Sequence, residues 1–444
     1  MASTLLTKNA QSVTNAKKYT VSFWCKKALF GINQYVLNTA SDGSNRLGIL
    51  FNTSEQLEIY GQTSGSENAY VRPTRLFRDP NSFYHFVIAV DTTQSTAADR
   101  VKIYVNGTLE TVMTSTNYPS QNADLESARN HYIGGYGVSA NYYFGGVISH
   151  FHFVDGTQYA ASDFGETDST TGEWKIKTSP SVTYGSAGYF ILKDGNSVTD
   201  QSGNSNNFAV STGTLTNTED CPSNVFCTIN ALNTQISGLT IGNGNTSRSS
   251  NTGDAWRTTY GTLAASSGKF YWEQKVTGSV GSAHYIGITD QDENRHSNTN
   301  DFENANVSAY CYRGDGGKVT SVSGSTVLTA SAGASFTNGD IIGVAIDLDN
   351  QKIYFSKNGT WQASGDPTSG STGTGSFFNI TAGKLYTPAT ACYHSGAGYQ
   401  YNFGNGSFGG TAISSEGTNA SSIGKFEYDV PTGYTALSTK GLNE

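Results

Sequence analysis

The sequence predicts an all-β protein of two antiparallel β-sandwiches joined by a short β-rich connector, and three observations predict it. Apolar residues recur at the period of a strand, as in Tyr19-Thr20-Val21-Ser22-Phe23-Trp24, Phe86-Val87-Ile88-Ala89-Val90 and Ile341-Ile342-Gly343-Val344-Ala345-Ile346. The composition, 51 Gly, 26 Tyr and 22 Phe with only 8 Pro and 14% charged residues, suits short strands joined by polar turns. A disordered chain would be poor in aromatics and rich in charge, the reverse of this one. The third observation is an internal repeat. FVIAVDTTQSTAADRVKIYVNGTLE (86–110) runs strand, acidic turn, strand, Asn-Gly turn, and IIGVAIDLDNQKIYFSKNGTWQ (341–362) does the same. Asp347 takes the place of Asp91 and Lys-Ile-Tyr recurs, so two similar sandwiches are expected rather than one large one.

Taken in order, residues 1–180 form the first sandwich. Its Asn106-Gly107 pair supplies the positive φ angles of a tight hairpin turn, as Asn358-Gly359 does in the second copy. Ile103 and Val105 share one face of their strand, and Ile353 and Phe355 share one face of theirs. Residues 181–235 read as a connector with short strands of its own, in which DQSGNSNN is a dense turn signal. Whether this piece completes the first sandwich or stands apart is open at this point. Residues 236–444 form the second sandwich.

The formal net charge of −8 and the lack of any basic run exclude non-specific nucleic-acid binding, which needs clustered Lys and Arg. No apolar stretch approaches the roughly 18–20 residues of a membrane span. The opening MASTLLTKNAQSV lacks the apolar core of a secretory signal, so export is not expected and sequons such as Asn52, Asn106, Asn245 and Asn358 stay bare. Cys25, Cys221, Cys227, Cys311 and Cys392 are scattered and odd in number, which reads as free thiols, with a Cys221–Cys227 bridge as the alternative. No CxxC pair provides a structural zinc site.

With YTVSFWCK (19–26), FYHFVIAVD (83–91), VKIYVNGTLE (101–110) and YYFGGVISHFHF (142–153), the first 180 residues resemble laminin G-like and concanavalin A-like lectin/glucanase modules. The second half resembles a SPRY domain, on GKFYWEQKV (268–276), YIGITD (285–290), NGDIIGVAIDLDNQKIYFSKNGTW (338–361), LYTPATACY (385–393) and YNFG (401–404) in that family's order. These resemblances imply two concanavalin A-like jelly-roll sandwiches with a habit of binding sugar or protein. The stretch DxSGNxNNF…TLTNTEDCPSNVF (200–226) and the ending YDVPTGYTALSTKGLNE (428–444) resemble virion proteins of tailed phages, particularly marine ones. That resemblance implies assembly into a virion in the host cytoplasm.

Catalytic machinery is not evident. GxSxG, HExxH and GxxxxGK[ST] are absent, and the GxGxxG at Gly404–Gly409 is not followed by a helix that would present its N-terminus to a pyrophosphate. Retaining glycosidases need two carboxylates about 5–5.5 Å apart, and no ExDxxE arrangement occurs. Glu55 and Glu58, three apart, would face opposite sides of a strand. In the SPRY resemblance Glu273 is a structural hydrogen-bonding residue. His150 and His152 are expected on one face with Ile148 and Val154, either as a metal pair or as residues satisfied by their neighbours. Asp290, Asp292, Asn294 and Asp301 fall at positions 1, 3, 5 and 12 of a calcium loop, although Arg295 replaces its Gly, and a solvated acidic turn is the competing reading. The laminin G-like resemblance adds Asp42 as a calcium candidate.

Sugar recognition wants exposed aromatic faces beside polar side chains. In the second half the candidates are Tyr310, Tyr312, Arg313 and Trp361 with Asp290, Asn294 and Arg295; in the first, Tyr136, Tyr142 and Tyr143. Cross-strand packing is the competing role for each aromatic. The expected function is a non-enzymatic virion appendage, tail fibre- or knob-like, that binds a host surface glycan or envelope protein. Its expected partners are other virion proteins and further copies of itself. The alternatives are a capsid- or tail-decorating assembly protein and a polysaccharide depolymerase. No heptad stalk or solenoid repeat of a fibre shaft is present.

Overall fold

The computed structural model describes residues 3–125, 128–193, 197–232, 238–251, 253–278, 281–291, 302, 308–322 and 325–444. Strands make up 44% of the chain and helix 4%, which makes the fold all-β. Every helix among the described residues is a short 3-10 stretch, and none is long and apolar enough to cross a membrane. The chain divides into two compact units, Met1–Thr216 with Cys221–Ser223, and Asn217–Asp220 with Asn224–Glu444.

In the first unit, two sheets enclose a core of Val21, Phe23, Ile49, Ile59, Phe86, Ile88, Phe151 and Phe153, among others. One sheet has the spatial order Met113–Asn117, Ser66–Pro73, Leu57–Thr63, Arg46–Phe51, Gln34–Ala40, Asn130–Ile133, Leu5–Lys8, Ala209–Thr212. The other runs Tyr189–Ile191, Gly146–Asp155, Lys18–Lys27, Phe83–Asp91, Val101–Val105, Thr108–Leu109. Two strands from the stretch read as a connector, Tyr189–Ile191 and Ala209–Thr212, are thus sheet members of this unit, pairing with Gly146–Asp155 and Leu5–Lys8. The DQSGNSNN turn makes that possible. Asp200 accepts hydrogen bonds from the backbone N–H groups of Phe190, Ser202 and Asn206, while the Asn204 and Asn206 amides donate to the carbonyl oxygens of Gly185, Ser186 and Gly188. It is a structural clasp whose polar groups are consumed internally.

In the second unit one sheet runs Leu239–Gly242, Ser247–Ser250, Gly398–Asn402, Lys269–Thr277, Ile341–Asp347, Lys352–Lys357, Thr360–Trp361. Against it packs Arg257–Tyr260, Tyr386–Cys392, His284–Asp290, Ala309–Arg313, Lys318–Val322, Ser325–Thr329. Trp272, Ile286, Ile288, Tyr310, Tyr312, Val344 and Phe355 lie in the core between them.

The internal repeat holds atom by atom. Asn106 and Asn358 have φ of 46° and 48°, followed by Gly107 and Gly359 at 81° and 79°. Each Asn Oδ1 accepts from the N–H of the residue that opens the hairpin, His85 or Ile341, at 2.8 Å in both units. At the other end Asp91 holds Lys18 at 3.1 Å and Asp347 holds Lys269 at 2.9 Å, each Lys standing directly across the neighbouring strand. Turn chemistry and a cross-strand ion pair thus pin the register at both ends.

Candidate functional site

The outer face of the first unit's eight-stranded sheet carries an aromatic cluster built by strand alternation. In Arg46–Phe51 the side chains of Leu47 and Ile49 enter the core, so Arg46, Gly48 and Leu50 face outward. Tyr60 stands across from Gly48 and Tyr35 across from Leu50. Gly48 is required here: a Cβ would come within 2.5 Å of the Tyr35 ring, so only glycine lets that ring lie along the sheet. The loop after Asn130–Ile133 brings Tyr136 to 5.2 Å and Tyr142 to 6.3 Å from Tyr35, ring centre to ring centre.

That loop is held in place by its backbone. Tyr136 N–H donates to the Asn141 carbonyl at 2.8 Å, Tyr35 N–H donates to the Tyr142 carbonyl at 3.0 Å, and the Tyr143 hydroxyl donates to the Ala140 carbonyl at 2.6 Å. Tyr142 sits at φ +50°, a left-handed conformation that a bulky residue adopts only when its surroundings impose it. Its ring is 50% exposed, whereas Tyr35 and Tyr136 are largely covered. Arg46 lies among these rings, 5.2 Å from the centre of Tyr136 and 5.6 Å from that of Tyr60. Burial opposes its charge, but the hydroxyls of Tyr136 and Tyr35 raise its pKa overall. Burial pushes Tyr35 itself up to about 12, so its hydroxyl stays protonated. The result is a pre-set arrangement in which Tyr35 and Tyr136 are buried supports, a cation lies among the rings, and Tyr142 is the ring exposed for stacking on a sugar C–H face.

Of the first-half candidates, Tyr136 and Tyr142 are in this cluster and Tyr143 braces its loop. Arg46, Tyr35 and Tyr60 were not among the sequence candidates. Their signal was alternation around Gly48, which marks one face without saying which.

The second-half candidates do not form a surface. Tyr310 and Tyr312 are buried in the core, their hydroxyls bonded to Thr381 and to the Ala334 carbonyl, because their strand turns its large residues inward and Ala309 and Cys311 outward. Arg313 is ion-paired to Asp315 at 3.1 Å. Trp361 is half-buried against Tyr271 in a separate cluster on the opposite sheet. Asp290 is fully buried and paired to Lys384 at 2.8 Å, and an ammonium against this carboxylate does not fit a cation ligand. Asp292, Asn294, Arg295 and Asp301 lie outside the described residues. Asp42 uses its carboxylate on the N–H groups of Ser44 and Asn45 and on the Asn45 amide, closing its own turn. Among the described residues no group of three His, Cys, Asp or Glu side chains could hold a metal ion.

A bulge corrects the histidine reading. Ile148 stands across from Cys25 in the core, but the register shifts between Ser149 and His152, with His150 at φ +48°. The extra residue reverses the alternation, so Phe151 and Phe153 enter the core and His152 and Val154 face the other way from Ile148. His152 then stacks on Phe190 and bonds the Tyr184 hydroxyl at 2.8 Å.

The carboxylates are also committed. Glu55 is not in a strand: it sits in a turn at φ +66°, where it binds the buried Lys27 ammonium and the Gly31 N–H. Glu58 accepts from Arg72, Tyr70 and Asn52. Glu273 is fully buried and accepts from the Glu427 and Tyr428 N–H groups, the Asn402 amide and the Tyr271 hydroxyl. Gly404 and Gly406 form a tight turn capped by Asn402 Oδ1, and the short strand Ser407–Phe408 follows instead of a helix. All five cysteines are free, and only Cys221 is not buried.

Two antiparallel β-sandwiches, each closed around its own core, define the class of the protein. Comparison gives the families. Residues 2–162 match the Concanavalin A-like lectin/glucanases superfamily and residues 269–406 match the SPRY domain. The chain therefore carries a concanavalin A-like domain followed by a SPRY domain. Such domains are typically non-catalytic binding domains. No curated protein matches the sequence. Similar solved structures include the SPRY domain of human HERC1, at 17% identity and a TM-score of 0.29, covering 39% of this chain and 96% of that one. The TRIM65 PSpry domain is similar at 11% identity and a TM-score of 0.29, covering 40% and 91%. A heptameric SAP-like pentraxin from Limulus polyphemus is similar at 15% and 0.27, covering 35% and 71%.

Proposed function

We propose that this chain is a non-enzymatic recognition and structural protein of a phage virion, which binds a host surface glycan through the Tyr35–Tyr60–Tyr136–Tyr142 face of its first unit. The observation that carries the binding role is that face: Tyr142 held exposed at a strained φ, beside Tyr35 and Tyr136 and an arginine. The virion setting rests on the sequence resemblance of 200–226 and 428–444. The non-enzymatic reading is supported by the engagement of Glu55, Glu58 and Glu273 in structural contacts.

The test is binding of the purified protein to intact candidate host cells, with and without periodate oxidation of their glycans. Saturable binding that periodate removes and Tyr142→Ala weakens supports the reading; binding that ignores both sinks it. Release of reducing sugar from envelope polysaccharide would make the chain a depolymerase instead. Antibody labelling of purified particles tests the virion setting.

One observation favours a second reading, assembly. Among the described residues Ser325–Thr329 lies at the end of its sheet, with Val327 60% and Leu328 50% exposed and no charged residue or Pro within the strand. Two copies could pair antiparallel through it, each strand completing the other. Val327→Lys is expected to convert such a dimer to monomer by light scattering, and an unchanged mass would remove this reading.

A further inference from the structure

The arginine of the aromatic face narrows the ligand, granted the glycan-binding reading above. Arg46 donates through Nε to the Gln62 side-chain oxygen at 2.9 Å and through Nη1 to the Tyr136 hydroxyl at 2.6 Å. Both acceptors are neutral, and among the described residues no carboxylate forms an ion pair with it. Other arginines of the chain show the usual alternative: Arg72 pairs with Glu58 at 2.9 Å, Arg75 with Glu110 at 3.2 Å and Arg313 with Asp315 at 3.1 Å. The nearby acids are engaged elsewhere, Glu58 by Arg72 and Asp42 by its own turn. Among the described residues Arg100 and Arg248 also lack a carboxylate partner, but they donate to backbone carbonyls, Arg100 to Gln94, Ser95 and Pro119 and Arg248 to Arg257, whereas Arg46 donates only to the side chains of Gln62 and Tyr136.

The surroundings suit a ligand more than they suit stability. Gln62 and Tyr136 hold two edges of the planar group, and among the described residues Nη2 makes no hydrogen bond. Among the described residues the hydroxyls of Tyr35, Tyr60 and Tyr142 are likewise without a hydrogen bond. A guanidinium fixed in this way is pre-organised for the parallel oxygens of a carboxylate, and its partial burial strengthens the pairing relative to open water. Tyr142, the exposed ring of the same cluster, would stack on the sugar that carries the acid.

We propose that this face selects acidic glycans, with Arg46 receiving the carboxylate of a uronic or related acid sugar while Tyr142 stacks on its ring. Neutral sugars can use the rings but leave the arginine unpaired.

The experiment measures binding of the intact protein to alginate, polygalacturonate and hyaluronan, each beside its carboxyl-reduced form, with a sulfated polysaccharide, dextran sulfate, as a charge control. The expected result is at least one acidic polymer bound tenfold or more tightly than its reduced form. Arg46→Gln abolishes that preference but retains the weaker binding to the reduced form. Arg46→Lys, a point charge without the fork, recovers only part of it. Tyr142→Ala weakens both forms. Equal affinity for each acid and its reduced form overturns the proposal while leaving the aromatic face as a glycan site. So does a preference that survives Arg46→Gln, or dextran sulfate bound as tightly as the best carboxylate polymer. Failure of every polymer to bind in either form overturns the glycan-binding reading itself. Unfolding curves of the Arg46 variants matching the parent exclude misfolding as the cause.

Discussion

The two units share a hairpin, a cross-strand Lys–Asp pair and an Asn-Gly turn, yet they dress the sheet that carries these features differently. In the first unit its outer face is covered by residues 156–184, whose Phe164, Tyr159, Trp174 and Tyr184 pack over Val87 and Val154. The polar contacts there are neutral. Ser22 meets His85 Nε2 at 2.9 Å, and Trp174 donates its indole N–H to His85 Nδ1 at 3.0 Å. In the second unit the C-terminal segment covers the equivalent face, with Phe426, Val430 and Tyr434 over Tyr271, Ala345 and Tyr354. Here a buried carboxylate, Glu273, grips the covering segment by two backbone N–H groups. The same architecture thus tolerates opposite chemistries at one clasp, since both His85 and Glu273 find hydrogen-bond partners there. The opposite sheets differ as well. The first unit turns tyrosines outward at Tyr35, Tyr60 and Tyr136, whereas the second turns Tyr310 and Tyr312 inward and leaves Ala309, Cys311, Ala389 and Ala391 outside, beneath Trp256 and Phe302.

The largest expected effect that separates the clasps is that of Glu273→Ala, which strands two backbone N–H groups and the Asn402 amide. It should cost the second unit roughly 3 kcal/mol or more in denaturant unfolding, whereas Ser22→Ala in the first unit should cost about 1 kcal/mol. Similar losses at both sites would show that the carboxylate adds nothing over a neutral clasp.

The pH responses should run in opposite directions. Burial raises Glu273 to about 7 from 4.5, against the pull of its hydrogen-bond donors. Between those values the folded state holds the extra proton, so the second unit loses stability as pH rises from 4.5 to 7 and is level above that. Burial lowers His85 to about 3 from 6.5, and also lowers His152. There the unfolded state holds the extra proton, so the first unit keeps its stability above 6.5 and loses it as pH falls below. Hydrogen exchange at pH 5 and pH 8, corrected for intrinsic rates, should show less protection of Lys18–Lys27 at the lower pH and less of Lys269–Thr277 at the higher. Glu273→Gln should flatten the second response alone.

Smaller effects distinguish packing aromatics from binding ones. Trp361→Ala should cost about 1–2 kcal/mol, because its ring packs on the Tyr271 cluster, and should leave glycan binding unchanged. Tyr142→Ala should shift stability by no more than about 0.5 kcal/mol yet weaken binding roughly tenfold. The reverse pattern would exchange the roles of the two faces.

Local chemistry was legible in the sequence. Period-two alternation marked the strands, and Asn106-Gly107 and Asn358-Gly359 named their turns because few residue pairs tolerate two successive positive φ angles. The bulge at His150 was not legible: neither His nor Ser demands it, and one extra residue reverses every side chain that follows. The candidate site was half legible. Tyr136 and Tyr142 stood out as a run of aromatics in a loop, while Arg46 and Tyr60 read as ordinary members of alternating strands.

What the sequence by itself determined is therefore the all-β class, the recurrence of one hairpin and its Asn-Gly turns, since each depends on residues close in the chain. Only the tertiary structure decided which face of each sheet is covered. Alternation says that Tyr310 and Tyr312 share a face, or that Arg46 and Leu50 do, but not whether a second layer lies over it. That depends on where distant segments such as 156–184 and 413–440 come to rest, and their packing is set by the whole buried surface rather than by any one strand.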